Sequence, residues 1–364
     1  MPELLDYKCP NCGGALEFNS SDQKLKCPYC DSEIDVAALK EMDTVLAGEP
    51  DRMEWDSMPD SEWSDSETDG MNVYACNSCG GEIIADETTA ATSCPYCGNP
   101  VVMKSRFSGD LRPDLVIPFK LNKEDAKKAL LKHYEGKKLL PKIFKDKNHI
   151  DEIKGVYVPF WLFDSDVDAA VNYDATNIRT WRSGDYNYTE TSHYSIYREG
   201  VIGFDNIPVD GSTKFADELM ESIEPFDMKD AVDFQTAYLA GYLADKYDVD
   251  AQTSIERANG RIKNSVESYF QTTVSAAYES VTPSSSSVKT SSGRSKYALL
   301  PVWLLNTTYN GEKYTFAMNG QTGKLVGDLP IDKGILKKYI VLSAAGIFAA
   351  AMGLLGFFFG PYAF

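Results

Sequence analysis

Cysteine is absent from the last two-thirds of the chain. All 8 Cys of the 364 residues lie before residue 98, and they form four C-x-x-C pairs. A secreted fold held by disulfides would usually distribute cysteines through the part that needs them. Pairs at this spacing are typical of metal ligands in a reducing compartment, so we expect a cytosolic setting for this region.

Basic charge is also scarce. The chain has 36 Lys and Arg against 54 Asp and Glu, a formal net charge of −18. The imbalance is strongest in residues 1–104, where 6 basic residues face 21 acidic ones, a net charge of −15. Affinity for phosphate backbones comes mainly from Lys and Arg. The charge therefore disfavours DNA or RNA as the partner and favours a protein.

Leader and catalytic motifs are missing as well. The first six residues show neither a basic region nor an apolar core, which predicts that there is no signal peptide. The chain has 3 His and no H-E-x-x-H, and residues 320–324 lack the spacing of a phosphate-binding loop. We expect no catalytic residues and a protein that is not an enzyme.

Two cysteine modules repeat each other. In each, a C-x-x-C pair preceded by Tyr and followed by Gly-Gly is separated by fourteen residues from a C-P-Y-C pair. The same spacing with the same flanking residues indicates an internal duplication. The modules occupy residues 1–37 and 71–104.

Each module offers four thiolates, the ligand set of a closed structural zinc site. Glycine after a C-x-x-C pair suits the left-handed backbone that such a turn often needs, and Asp31 takes this place after one pair. Redox dithiols or an iron–sulfur cluster are the less favoured alternatives. We predict two structural Zn²⁺ ions, one held by Cys9, Cys12, Cys27 and Cys30, the other by Cys76, Cys79, Cys94 and Cys97.

The segment between the modules is acidic. Residues 41–70 carry eleven Asp or Glu against one Arg, a composition that cannot bury enough apolar surface to fold alone. It nevertheless contains large apolar side chains, among them Met53, Trp55, Met58 and Trp63. Such side chains either dock onto a partner or pack back onto the ribbons, and the sequence leaves both readings open.

The cysteine-free block reads as α+β with mainly antiparallel strands. We predict a helix at 123–135 capped by Asn122, helices at 212–223, 230–246 and 250–270, and a hairpin turn at Asn310-Gly311. The Ser-rich residues 283–295 read as an exposed loop. The echo between Pro159-Phe160-Trp161 and Pro301-Val302-Trp303 is expected to line a core.

A long apolar run closes the sequence. Residues 339–359 contain no charge and span about 30 Å as a helix, the thickness of the hydrocarbon core. Lys333, Lys337 and Lys338 precede it, so the positive-inside rule predicts a single-pass tail anchor with the N-terminal bulk in the cytoplasm. Small residues at four-residue steps (Ala345, Ala349, Gly353) could support homo-oligomers through this helix.

The predicted organisation is multidomain. Its parts are zinc ribbon 1 at 1–37, an acidic flexible linker at 38–70, zinc ribbon 2 at 71–104, an α+β platform at 105–332 and a transmembrane tail anchor at 335–360.

Several of these motifs together resemble a bacterial family. The repeated cysteine pairs, the P-F-W and P-V-W strands, residues 318–324 and the terminal span are similar to TFIIB-type zinc-ribbon-containing membrane proteins, some of which are labelled as the primosomal helicase. A helicase is excluded because the chain lacks a Walker A motif. The resemblance implies association with flotillin-like (SPFH) and phage-shock-type membrane-stress proteins.

The leading hypothesis is therefore a non-enzymatic, membrane-anchored adapter or scaffold that recruits a protein partner. The alternative is a membrane-tethered nucleic-acid-binding protein or transcription regulator, which the charge of residues 1–104 disfavours.

Overall fold

A computed structural model describes residues 9, 16–19, 24–35, 51–68, 70–86, 89, 93–106, 111–274 and 276–359. The chain divides into two compact units. The first unit comprises Met1–Met58, Leu162–Val209 and Ile255–Ser295, and the second comprises Pro59–Trp161, Asp210–Ser254 and Lys296–Phe364.

Short strands dominate the N-terminal third of the chain, and much longer strands follow. In chain order, the strands are β1 Glu17–Asn19, β2 Lys24–Lys26, β3 Glu33–Asp35, β4 Trp55–Ser57, β5 Met71–Ala75, β6 Glu82–Asp86, β7 Val102–Arg106, β8 Leu115–Val116, β9 Lys154–Ser183, β10 Tyr186–Asp210, β11 Val232–Asp233, β12 Leu243–Asp245, β13 Ser280–Tyr309, β14 Glu312–Asn319 and β15 Leu325–Gly327. The α-helices are α1 Asp65–Thr68, α2 Lys123–Tyr134, α3 Lys147–Ile150, α4 Asp217–Ser222, α5 Ala251–Thr272 and α6 Lys333–Phe359.

The second unit is built on one sheet in the order β11-β8-β13-β9-β12-β6-β5-β7, with β14 and β15 continuing from β13. Its strands are mixed rather than mainly antiparallel. β12 is parallel to β9, and β13 is parallel to β8. Parallel neighbours need long crossover connections, which the chain provides between β9 and β12 and between β8 and β13. The expectation of a mainly antiparallel fold is therefore wrong.

One helix covers this sheet as the sequence predicts. Asn122 caps α2 through a reciprocal pair of hydrogen bonds with Asp125. The helix buries Leu130 and Tyr134 in a core shared with β13 and β14. The expected hairpin turn between those strands is also present, since Asn310 and Gly311 both have positive φ.

The tryptophans of the two echoing motifs are core residues. Trp161 and Trp303 are buried, and each indole N–H donates to a backbone carbonyl. Trp161 donates to Val249 at 2.9 Å, and Trp303 donates to Leu121 at 3.0 Å. These bonds satisfy the one polar atom that a buried indole carries, so the prediction that the motifs line a core is confirmed.

The first unit packs α5 against parts of β9, β10 and β13. Its core joins Ile262, Val266 and Phe270 of the helix to buried residues of the strands, among them Val288. Val288 lies in the Ser-rich segment, which is strand and not the loop predicted for 283–295. The serine hydroxyls are used as hydrogen-bond partners, as when Ser286 Oγ donates to Glu267 at 2.6 Å. A Ser-rich strand is stable in this position because its hydroxyls find partners and its valine is buried.

Residues 51–58 also belong to the first unit. β4 pairs with β13 in parallel, placing Trp55 opposite Gly293. A Cβ on Gly293 would lie 2.8 Å from the Trp55 ring, so only glycine allows this approach. Asp51 accepts hydrogen bonds from the Val288 N–H and the Lys263 ammonium. The acidic segment is therefore not a flexible linker over residues 51–58. Its apolar side chains pack against residues that are distant in the sequence.

Two further expectations differ from the structure. Residues 230–246, expected to be helical, contain short 3₁₀ turns and the strands β11 and β12. The platform expected at 105–332 is not one compact unit, because β9 and β13 each contribute one part to each unit. Strands of 30 residues are far longer than the usual five or six, and sequence patterning gave no sign of where each is divided.

The last helix is long and apolar enough to cross a membrane. Its window of Lys333–Leu354 has no residue buried in the described structure. Length and composition alone support this reading.

Substituting Trp55 tests whether residues 51–58 are part of the folded unit. Trp55 packs edge-on against Phe163 with ring centroids 4.9 Å apart, and its indole donates to Asn259 at 3.0 Å. We expect Trp55→Ala to destabilise the first unit by about 2–3 kcal/mol, because it loses apolar contacts and a hydrogen bond. Limited proteolysis of the full-length protein in detergent measures this. Trp181→Ala, which removes an exposed indole, is the matched control, and equal resistance of both variants would contradict the packing role.

Candidate metal centres

The second cysteine module is part of the sheet of the second unit. β5 leads directly into Cys76, and β6 follows the first cysteine pair. β6 pairs with β12, with Ile84 opposite Ala244. Ile83, Ile84 and Ala85 of β6 are buried. This module is therefore not the separate domain expected at 71–104, because one of its strands hydrogen-bonds to the platform sheet.

Both cysteine pairs of this module lie in the same kind of turn. The Gly80 N–H donates to the Cys76 carbonyl at 2.9 Å, and the Gly98 N–H donates to the Cys94 carbonyl at 3.0 Å. Gly80 and Gly98 have φ of 73° and 75°, the left-handed conformation in which a side chain is costly. The predicted role of glycine after each pair is confirmed at these two positions.

The four thiols of the second centre converge. The Sγ atoms of Cys76, Cys79, Cys94 and Cys97 all lie within 4.8 Å of one another. The Cys76–Cys97 and Cys79–Cys94 separations are 3.5 and 3.6 Å. These distances exclude a disulfide, whose S–S bond is about 2.05 Å. They are close to the edge of about 3.8 Å that four sulfurs form around a tetrahedral ion at about 2.3 Å. The group could therefore hold a metal ion.

The first centre shows the same arrangement in its described residues. Cys9, Cys27 and Cys30 form a second group that could hold a metal ion, with Cys9 and Cys30 Sγ 3.6 Å apart. The predicted fourth ligand, Cys12, lies outside the described residues. The strands of this module form a separate antiparallel sheet in the order β1-β2-β3.

In the first centre, Asp31 occupies the position after the cysteine pair that glycine occupies in the second centre. Its N–H donates to the Cys27 carbonyl at 2.9 Å, the same turn that Gly98 makes after Cys94. Its φ is 57°, so the left-handed conformation occurs with a side chain present. Asp is among the residues that tolerate this region best. The substitution predicted from sequence is confirmed.

The four thiols of the second centre differ in their surroundings. Burial raises the pKa of Cys94, whose side chain is almost inaccessible. Burial also opposes ionisation of Cys97, but hydrogen bonds led by the Asn99 N–H lower the pKa of this thiol to about 7. The Asn99 amide contributes one of them at 3.4 Å. A bound cation would supply the charge that deprotonates the remaining thiols.

A lysine and an asparagine fasten this centre to neighbouring strands. The Lys154 ammonium donates to the Ser93 carbonyl at 2.6 Å and also to the Ser93 hydroxyl. The Asn306 amide donates to the Pro95 carbonyl. Sequence reasoning missed both residues, because they lie on β9 and β13, far from the cysteines along the chain.

A buried carboxylic acid lies on the strand that pairs with β6. Asp245 is inaccessible and accepts a hydrogen bond from the Ser212 hydroxyl at 2.5 Å. Burial raises the pKa of Asp245 to about 7. Three residues on, Asp248 pairs with Lys214 at 2.8 Å. Burial opposes ionisation there too, but the bonds from Lys214 and Thr213 hold the pKa of Asp248 below its ordinary value.

The four apolar residues proposed for partner docking each make contacts within their own unit. Met53 and Trp55 pack against the core of the first unit. The Met58 sulfur accepts a hydrogen bond from Ser295 at 3.3 Å. Trp63, in the second unit, packs edge-on against Phe234 with centroids 5.5 Å apart. All four are half-buried.

Comparison with known proteins gives one full-length relative. The chain is 36% identical over 348 residues to the uncharacterized protein YdjG of Bacillus subtilis (strain 168). The match covers 95% of this chain and 96% of that protein. The chain belongs to the YdjG family. No protein-family model matches the chain, and no solved structure matches it.

The two centres should respond differently to loss of one cysteine. Cys27→Ala and Cys94→Ala each remove one buried thiol and should each halve the metal content measured by elemental analysis of the purified protein. Only Cys94→Ala should lower the unfolding temperature of the second unit, because only that centre shares its sheet. An equal loss of stability in both variants would show that the β6–β12 pairing does not couple metal binding to the platform.

The two aspartates near β12 should have opposite pH signatures. Between about pH 4 and 7 the folded protein keeps Asp245 protonated while the unfolded chain ionises, so this group lowers stability as pH rises. Asp245→Asn should therefore gain stability relative to wild type from pH 5 to pH 8, by at most about 3 kcal/mol. Asp248→Asn should instead lose stability relative to wild type, since its lowered pKa stabilises the fold above about pH 4. Thermal unfolding at both pH values measures the difference, and parallel curves for Asp245→Asn and wild type would contradict the assignment.

Proposed function

We propose that this protein is a membrane-anchored scaffold of the YdjG family that holds two structural zinc ions and binds a protein partner at the cytoplasmic face of the cell membrane. The proposal rests on the donor sets of the cysteine groups, on α6 and on an exposed aromatic hairpin. It assigns the protein no catalytic role.

Zinc is the ion that best fits the cysteine groups. Four thiolates from two C-x-x-C turns make a closed tetrahedral set, which is the usual structural zinc site. Four sulfurs leave no open position for water or substrate. Each ion with four thiolates carries a charge of about −2, which adds to the acidity of residues 1–104. Such centres favour a structural role and disfavour contact with phosphate.

α6 supports a single membrane crossing. The uncharged run Tyr339–Phe359 matches the hydrocarbon thickness, and exposed Lys337 and Lys338 precede it. Lysines on this side favour a cytoplasmic location for the preceding residues. Ala345, Ala349 and Gly353 provide a small-residue face through which two copies could associate.

The observation that carries partner binding is the tip of the β9–β10 hairpin in the first unit. Every residue from 178 to 191 is exposed. Trp181 and Tyr188 stack across the two strands with centroids 5.6 Å apart, and Tyr186 is 72% exposed. Aromatic side chains are enriched in protein interfaces, and monomeric proteins rarely expose them in contiguous patches.

The charge of the tip agrees with a protein partner. Arg179 and Arg182 are balanced by Asp185 and Glu190, so residues 178–191 carry no net charge. Arg179 lies 5.5 Å from the centroid of the Trp181 ring, a cation–π contact that orders the surface. A neutral aromatic surface lacks the basic excess that nucleic acids require. By family resemblance, the partner class is a flotillin-like (SPFH) or phage-shock-type membrane-stress protein.

Partner capture tests the proposal. Tagged full-length protein is purified from detergent extracts of its own host, and co-purifying proteins are quantified by mass spectrometry. We expect Trp181→Ser combined with Tyr188→Ser to reduce the main partner at least fivefold, because the exposed aromatic surface is removed. Metal content should stay at two zinc per chain in this variant.

The matched control is Tyr269→Ser, which removes an exposed aromatic residue from α5. It should leave partner recovery unchanged. Equal recovery in wild type and the double variant would rule out the hairpin tip as the docking surface. Zinc well below two per chain, or release of the protein by alkaline carbonate, would defeat the metal and membrane parts of the proposal respectively.

A further inference from the structure

One stretch of this acidic protein is strongly basic. Residues 120–147 contain ten Lys against four Asp or Glu, a net charge of +6 in a chain whose net charge is −18. Ten of the 36 basic residues of the protein therefore lie in this segment, all of it in the second unit. A local reversal of charge on this scale indicates a surface for an anionic ligand.

The lysines of this stretch fall into two groups. On α2, Lys127 and Lys128 are paired: Lys127 contacts Glu124 at 2.7 Å and Asp151 at 2.8 Å, and Lys128 contacts Asp125 at 3.7 Å. The second group follows α2, in residues 137–147, which include a 3₁₀ turn at Lys142–Lys145 and the first residue of α3; we name this segment the basic loop. Within the described part of the chain, no carboxylate lies within 4 Å of its five exposed lysines: Lys137, Lys138, Lys142, Lys145 and Lys147.

The basic loop is fastened to the start of α6. The Asp332 N–H donates to the Leu139 carbonyl at 2.9 Å. The Asp332 carboxylate caps the helix by accepting hydrogen bonds from the N–H groups of Gly334 and Ile335, at 2.8 and 3.0 Å. One residue thus joins the loop to the first turn of the apolar helix. That turn adds Lys333, and Lys337 follows it, so further ammonium groups lie beside the loop.

The contact between Asp332 and the basic loop indicates how far the loop lies from the bilayer. Tyr339, the first residue of the uncharged run, follows Asp332 by seven residues, about 10 Å along the helix axis. The headgroup layer of each leaflet is about 5–8 Å thick, and the screening length at physiological salt is about 8 Å. With α6 inserted, the basic loop at Leu139 lies within roughly one screening length of the headgroups.

We infer that the basic loop and the first turn of α6 form a binding surface for anionic phospholipid headgroups of the bilayer that holds α6. The inference rests on the proposed membrane insertion of α6. Ile143, which is 42% exposed, lies between Lys142 and Lys145 and gives the surface an apolar side chain suited to the interface. The loop's own opposing carboxylate is Asp146, so the basic charge dominates. The surface fixes which face of the second unit is turned to the bilayer.

Lysine footprinting on the full-length protein tests this surface. The protein is reconstituted in nanodiscs of phosphatidylcholine alone or of phosphatidylcholine and phosphatidylglycerol at three to one. Acylation of each lysine by a water-soluble ester is followed by mass spectrometry. We expect labelling of Lys137, Lys138, Lys142 and Lys145 to be at least threefold slower in the anionic discs at 50 mM salt. The difference should vanish at 500 mM salt, because headgroup attraction is screened.

Lys24, Lys104 and Lys229 are internal controls, since each is exposed and lies outside the basic stretch. Their labelling should not depend on lipid charge. The variant with Gln at positions 137, 138, 142 and 145 should lose the lipid dependence of Lys147, whereas a variant with Gln at the three control positions should keep it.

The outcomes separate the two proposals. If alkaline carbonate releases the protein, membrane insertion fails and this inference fails with it. If the protein stays in the bilayer but the loop lysines label equally in both discs, only the lipid surface is refuted. Protection of the same lysines by a duplex oligonucleotide, but not by phosphatidylglycerol, would make the surface a nucleic-acid site and overturn the inference.

Discussion

The backbone pairing of β6 with β12 is the contact on which the second unit depends. It makes the second cysteine module an edge of the platform sheet, because β6, β5 and β7 follow β12 in one continuous order. A short module with four thiols cannot fold on apolar burial alone, so the strand beside it contributes to its order, and a metal ion held by the four thiols would contribute as well. The buried side chains of Ile83 and Ile84 secure this edge. A metal ion bound at the second centre would thereby be linked to the stability of a much larger sheet.

Duplicated cysteine modules have come to serve different structural roles. The first forms a separate antiparallel sheet of three short strands, β1 to β3. The second exposes β6 to an outside partner strand and gains Lys154 and Asn306 as additional anchors. The sequence repeat predicts identical turns, and both modules indeed place their C-P-Y-C pairs in the same hydrogen-bonded conformation. It cannot predict which module pairs outward, since that depends on strands more than a hundred residues away.

The features that could be predicted from the sequence are those determined by a few neighbouring residues. The cysteine turns, the left-handed Asp31, the cap at Asn122 and the Asn310-Gly311 hairpin each depend on a few adjacent residues, and all were predictable. The Ser-rich part of β13 and the ordered residues 51–58 were not. Val288 is buried and Trp55 is half-buried by contacts with α5 and β9, and the local composition does not indicate either contact. The acidic composition of 41–70 predicts that the segment cannot fold alone. Residues 51–58 are nevertheless ordered, because their apolar side chains pack against the core of the first unit.

The distribution of charge connects the metal centres to the proposed membrane surface. Residues 1–104 carry −15 before the metal–thiolate centres are counted, whereas residues 120–147 carry +6. A bilayer containing anionic lipid repels the first group and attracts the second, and both effects act within about a screening length of the headgroups. Asp332 joins the basic loop to the first turn of α6. The attraction to anionic lipid therefore acts at the N-terminal end of the apolar helix, where it can orient the second unit on the bilayer. The same field would disfavour close approach of the acidic cysteine modules to the bilayer. This arrangement is compatible with the proposed adapter role, since a surface lying on lipid is closed to a protein partner.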